Sequence, residues 1–220
     1  MSYLREFPEA NMQDFLYAAN HEAPFLFLEV ARTLLICKSQ LTHKDREMLG
    51  AYCLSLNNAL QPIQVHSRNF AALGEERWLI RDLVRDPSFA SVDDKFHPLL
   101  DIVRKATEKA DSVCKADIEA CYEVGWNGHT IFLVSAITGF FNQMSRWVNM
   151  LGMKYNEEEV IGSSEFLIAS GCDTSWDPSS GEPASNPSLS DEEYVKKYPD
   201  HLDTSFELSK QRQVDAGNRT

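Results

Sequence analysis

Apolar residues recur at intervals of three and four along almost the whole chain up to about residue 170, and this periodicity confines it to helices. The segment APFLFLEVARTLLIC gathers Phe25, Leu28, Val30, Leu34 and Leu35 into one helix, with Pro24 in a first turn, where a missing N–H costs little. In LTHKDREMLGAYCLSL, Thr42 is placed to cap a second helix and Asp45, three residues on, to complete a capping box. Glu47 then lies in the second turn and shares a face with Gly50, Ala51 and Leu54, a carboxylate on a stripe of small and apolar groups. Asn57 and Asn58 break this helix, and Pro62 suits the first turn of the next, which carries Ile63, His66 and Phe70 on one side. DPSFASVDDKFHP reads as loop, after which helices resume in HPLLDIVRKATEKA, KADIEACYEVG and GHTIFLVSAITGFFNQMSRWVNMLG, with Gly125 and Gly152 as C-terminal stops.

The expected organisation is an all-α domain over residues 1–171, followed by an acidic, Pro/Ser-rich and mostly disordered tail over 172–220. That tail holds ten acidic residues against five basic ones and four prolines, with one short helix expected at SDEEYVKKY behind a Ser190 cap. At 220 residues and 43% hydrophobic content, the chain is long enough to bury its own core. A formal charge of −12 argues against a nucleic-acid surface, because phosphate binding needs a positive field. The N-terminal stretch is interrupted by Arg5, Glu6 and Glu9 and does not read as a secretory signal. No run approaches the roughly eighteen apolar residues that a membrane span requires, so membrane association is not expected. The five cysteines, Cys37, Cys53, Cys114, Cys121 and Cys172, show no metal-knuckle or redox spacing and read as isolated thiols of a cytoplasmic protein.

With these elements in place, the chain resembles the alkylhydroperoxidase D-like and carboxymuconolactone decarboxylase superfamily, in its peroxidase-related branch. The resemblance is carried by LTHKDREMLGAYCLSLNNALQPIQVHS, LLDIVRKAT and GWNGHTIFLVSAITGFFNQMSRWVNMLGM, and covers most of residues 20–171. It implies an all-α, alkylhydroperoxidase-like helical bundle that assembles into a homo-oligomer, a trimer or hexamer. Redox members carry a Glu, then Asn-x-Cys-x-x-Cys, then a His four residues after the second cysteine. Matched to that pattern, Glu47, Asn57 and His66 stand in register, while Ala59 and Pro62 occupy the two cysteine positions. A peroxide-attacking site needs a thiolate, and neither Ala59 nor Pro62 supplies one. The implied protein is therefore an antioxidant, peroxidase-related family member without its dithiol centre, which puts peroxidase activity in question and leaves a hydroperoxide substrate as a family implication.

Glu47 and His66 remain the candidate catalytic pair, a proton relay with no cofactor. Imidazole titrates near neutrality and a partly buried carboxylate can be tuned toward it, so an alternative is acid/base chemistry on a small organic acid, as in the decarboxylase relatives. A second alternative is a non-catalytic oligomeric binding module. Cys53 is a candidate substitute nucleophile, weighed against a buried small hydrophobe. Arg146, with Asn142, is a candidate anchor for a carboxylate or a neighbouring subunit. Trp126, Trp147, Phe140 and Phe141 are expected in the core or an interface. His21, His43, His97, His129 and His201 are assigned to no metal site, and no metal is expected.

Overall fold

Helix α3 (His43–Leu56) organises the molecule, because every residue from Arg46 to Leu54 is buried, and a helix buried on all sides belongs at the centre of a core. The computed structural model describes residues 2–36, 39–74, 78–88, 90–154 and 156–169. Within them α1 (Met12–Ala19) and α2 (Ala23–Ile36) precede α3, and α4 (Leu60–Ala72) and α5 (Trp78–Arg85) follow it. The chain then runs through α6 (His97–Glu108), α7 (Lys115–Glu123), the long α8 (Gly128–Met150) and α9 (Glu157–Ala169). Helices α2, α4, α5, α6 and α8 all pack on α3, and α9 packs on α4. No strand occurs among the described residues, and no helix there is long and apolar enough to cross a membrane.

Local chemistry sets the boundaries. The Thr42 hydroxyl accepts from the Asp45 N–H at 3.2 Å and the Asp45 carboxylate accepts from the Thr42 N–H at 2.8 Å, the reciprocal box expected at the start of α3. At its end, Asn57 is the last capping residue and Asn58 adopts φ +54°, a left-handed conformation that asparagine tolerates better than most side chains. Pro62 is the third residue of α4, where a backbone N–H would find no acceptor inside the helix, so the ring is accommodated without losing a bond. Gly125 and Gly152 have φ +95° and +64°, the conformation that ends α7 and α8.

Two contacts fix α3 in place. Arg46 is fully buried, and its guanidinium donates to Ser39 Oγ and to the Leu41 carbonyl, each at 2.9 Å, tying the α2–α3 connection to the helix. A Cβ on Gly50 would overlap the Phe141 ring, so α8 lies directly against the α3 backbone at that point. Phe141, itself 1% exposed, turns its ring onto the imidazole of His66, with centroids 4.6 Å apart and planes at 81°. The expected acidic tail, Cys37, Cys172 and His201 lie outside the described residues.

Candidate functional site

Glu47 projects from the second turn of α3 into a space where water does not reach, and a carboxylate there must be paired or become neutral. It is paired three times. His66 Nδ1, from α4, lies 2.7 Å from Oε2; His43 Nε2, one turn earlier on α3, lies 3.2 Å from Oε1; and Asn69 Nδ2 donates to Oε1 at 3.1 Å. Asn69 is oriented in turn by Ser164 of α9, whose hydroxyl donates to Asn69 Oδ1 at 2.6 Å. Burial pushes the Glu47 carboxyl up, but the charge of His66 and hydrogen bonds from His43 and His66 outweigh it and hold the group down at about 2. Glu47 is accordingly an anion at neutral pH and acts as a counter-ion that fixes the imidazole.

With Nδ1 directed at Glu47, His66 has one ring nitrogen left. His66 lines a cavity of about 470 Å³ whose wall is mainly apolar, built from Phe27 and Ala31 of α2, Pro62 and Val65 of α4, and Phe140 and Met144 of α8. A carboxylate that takes the Nδ1 proton as a hydrogen bond leaves Nε2 as the basic nitrogen, and Nε2 has no partner among the described residues. The arrangement is an oriented imidazole beside an apolar cavity, competent to remove a proton from a bound molecule and to return it.

The other candidate residues fall elsewhere. Ala59 is fully buried as the residue before α4, and Pro62 is on the cavity wall. Cys53 is also fully buried, with its thiol against Thr107 Oγ1 at 3.4 Å and the Thr138 carbonyl at 3.7 Å, and burial raises it to about 11. It does not line the cavity with His66. Asn57 Nδ2 donates to the Cys53 carbonyl and to Asn142 Oδ1, both at 2.9 Å, while Asn142 Nδ2 donates to Thr107 at 3.1 Å. Arg146 closes this second network by donating to the Asn142 side chain and carbonyl at 2.8 and 2.9 Å; it is exposed and stands away from the cavity wall. Cys114 is exposed at the start of α7 and Cys121 is buried within it, so the seven-residue spacing brings no thiol pair together.

One expectation needs correction. His43 is four residues before Glu47 on one helix, a spacing that the assignment of the histidines to no metal site leaves unused, and the structure uses it for a hydrogen bond. Phe140 packs against the core as expected and also faces the cavity, its ring 4.8 Å from that of Phe27. Trp126 and Phe141 are core residues. Asn69 and Ser164 carry no motif; only the three-residue step from His66 to Asn69 along α4 hints at a shared face. Among the described residues no cluster of three or more His, Cys, Asp or Glu side chains has metal-binding geometry.

Solved structures place this architecture. The chain is similar to a peroxidase-related protein from Silicibacter sp. TM1040, at 28% identity and a TM-score of 0.60, over 66% of this chain and 77% of that one. It is also similar in fold to the alkylhydroperoxidase AhpD core of a peroxidase-related protein from Ralstonia eutropha JMP134, at 22% identity and a TM-score of 0.60, over 67% and 78% of the two chains. No protein-family model and no curated protein matches the sequence. The fold is that of the alkylhydroperoxidase D-like superfamily. Within it, the likeness is to the peroxidase-related proteins.

Proposed function

We propose that this is a peroxidase-related family protein without a dithiol centre, whose working group is His66, oriented by Glu47 for cofactor-free proton transfer on a small, largely apolar molecule. The observation that carries the reading is the 2.7 Å contact between the buried Glu47 carboxylate and His66 Nδ1 at the wall of an apolar cavity. Nε2 takes a proton from a carbon or oxygen acid of the ligand, the electron pair stays on the ligand, and the imidazolium that forms is balanced by Glu47. Return of the proton from Nε2 to another atom of the ligand completes an isomerisation or follows loss of a carboxyl group, with no oxidant consumed. Ala59 and Pro62 stand where redox relatives carry thiols, and Cys53, fully buried with its thiol raised to about 11, is a poor replacement.

Two assays test this. With 4-phenyl-2-butanone in D₂O, the protein should accelerate deuterium incorporation beside the carbonyl, and His66→Gln should remove the acceleration; equal rates for the two proteins defeat the reading. With tert-butyl hydroperoxide and dithiothreitol, no turnover above buffer is expected. Thiol-dependent turnover that vanishes when all five cysteines are replaced would overturn the loss of the redox function.

Assembly into a homo-oligomer in the cytoplasm is part of the same proposal. Phe132 and Met150, 71% and 70% exposed on α8, are large apolar groups that a second subunit would cover. Light scattering should give a mass above one chain, and a monomer at micromolar concentration refutes it.

A further inference from the structure

The Glu47 carboxylate is shared, and the sharing is uneven. An ionised carboxylate only accepts, so each group that faces it is a donor: His66 Nδ1 alone at Oε2, and His43 Nε2 together with Asn69 Nδ2 at Oε1. For packing alone, His43 is an unfavourable choice. It is 9% exposed, and its Nδ1 is buried with no hydrogen-bond partner among the described residues, so the hydrogen bond this ring does make is the one to Glu47 at 3.2 Å. A buried nitrogen left unpaired is costly, and local departures of this kind gather at working sites. His43 thus stands one turn from the carboxylate that orients the cavity's imidazole, with no other hydrogen-bonding task among the described residues.

We infer that His43 is a positioning residue for His66: by occupying Glu47 Oε1 it limits the carboxylate's hold on the His66 imidazole, and so sets the pH range in which Nε2 is free to take a proton. This rests on the His66 reading for what the imidazole does, but not for how Glu47 is divided. A donor at Oε1 draws the carboxylate's charge toward itself, and less is left to stabilise the imidazolium that forms when Nε2 takes a proton. Removing His43 therefore tightens the bond from His66 to Glu47 and makes Nε2 more basic. Loss of its hydrogen bond and loss of any charge it carries act in the same direction, so the sign of the effect is fixed. The charges that act on Glu47 are those of His66 and His43. Asn69 and Ser164 bring hydrogen bonds without charge, and α8 meets the imidazole with Phe141. Glu159 of α9 is the one other ionisable side chain on the cavity wall among the described residues.

Two readouts on the full chain test this, and only one of them needs turnover. By NMR, the His66 Nδ1 proton, identified by its absence from His66→Gln, reports the strength of the bond to Glu47. His43→Phe, which keeps a ring and removes the donor, should move that resonance downfield. His43→Gln, which restores an N–H one turn from Glu47, should bring it back. In the deuterium-exchange assay with 4-phenyl-2-butanone, the rise of rate with pH should move upward by about 0.5–1 pH unit in His43→Phe, part of the worth of one hydrogen bond to a charged group, and return in His43→Gln. On the rising limb this reads as a loss of about three- to tenfold at fixed pH, recovered at higher pH. His43→Leu gives the same two readings if His43→Phe does not fold. A resonance unmoved when the donor is removed, or a pH profile that stays in place while its height falls, is the mark of a merely structural side chain and overturns the inference. A resonance that moves and returns as expected, with no exchange catalysed by any of the proteins, upholds the division of Glu47 and refutes the role of His66 alone.

Discussion

Helix α3 carries two buried polar networks that share a scaffold and differ in what they can do. Around Glu47, a carboxylate is held by two imidazoles and an amide, and one imidazole reaches a cavity. Around Cys53, a neutral thiol meets a hydroxyl and a carbonyl, and Asn57, Asn142 and Arg146 extend the chain of bonds without meeting that cavity. The first spends its hydrogen bonds on keeping a charge available beside a space for a ligand; the second uses them to close the packing between α3, α6 and α8. Reactivity therefore follows access and charge, and the presence of a nominally nucleophilic atom does not decide it.

The contrast is broken most severely at the charge. Glu47→Leu leaves two imidazoles and an amide without their acceptor, and should cost about 3–5 kcal/mol in chemical denaturation, the range for breaking a buried ionic arrangement. The pH dependence probes the same group more gently. Its carboxyl lies at about 2 in the fold against an ordinary 4.5, so its contribution is complete above about pH 4.5 and is lost as pH falls toward 2. Glu47→Gln should flatten the acid limb of stability in that window; an unchanged acid limb would show that Glu47 is not held as a paired anion. Gly50→Ala drives a methyl into the Phe141 ring and should cost about 1–3 kcal/mol, with a shift of the His66 ring resonances as the sign that the strain reaches the site.

The Cys53 network should respond less. Thr107→Val removes one hydroxyl shared by Cys53 and Asn142, and a loss of about 1–2 kcal/mol with proton transfer unchanged is expected. The smallest effect separates the thiols themselves. Under native conditions at pH 8, peptide mass spectrometry after iodoacetamide should find Cys114 labelled and Cys53 and Cys121 untouched, since burial raises both of the latter to about 11. Rapid native labelling of Cys53 would erase the distinction between the two networks.

How far the sequence reveals this arrangement depends on the range of the signal. Thr42 with Asp45, Pro62, Gly125 and Gly152 act within a few residues of themselves, and each marks its helix boundary as the pattern predicts. The meeting of Glu47 with His66 crosses a helix break, and periodicity alone does not specify it; the family spacing suggests it. His43 was within reach, because a histidine four residues before a glutamate on one helix is a local signal. Ser164 reaches Asn69 across 95 positions, and Phe27 and Phe140 meet across the cavity from helices far apart in the chain. Contacts of that range depend on how helices pack, and composition and spacing within any one segment do not encode them.

The contact of Gly50, Phe141 and His66 gives α8 a double duty. One side of the rod rests on the α3 backbone and on the imidazole, and the other presents Phe132 and Met150 outward. A second subunit settled on the outer side, as proposed, would lean on the part that positions His66, so that the proposed quaternary contact and the cavity would share one mechanical member. In such an assembly the identity of a neighbour would become a variable of the imidazole, and glycine at position 50 would set how closely the two are joined.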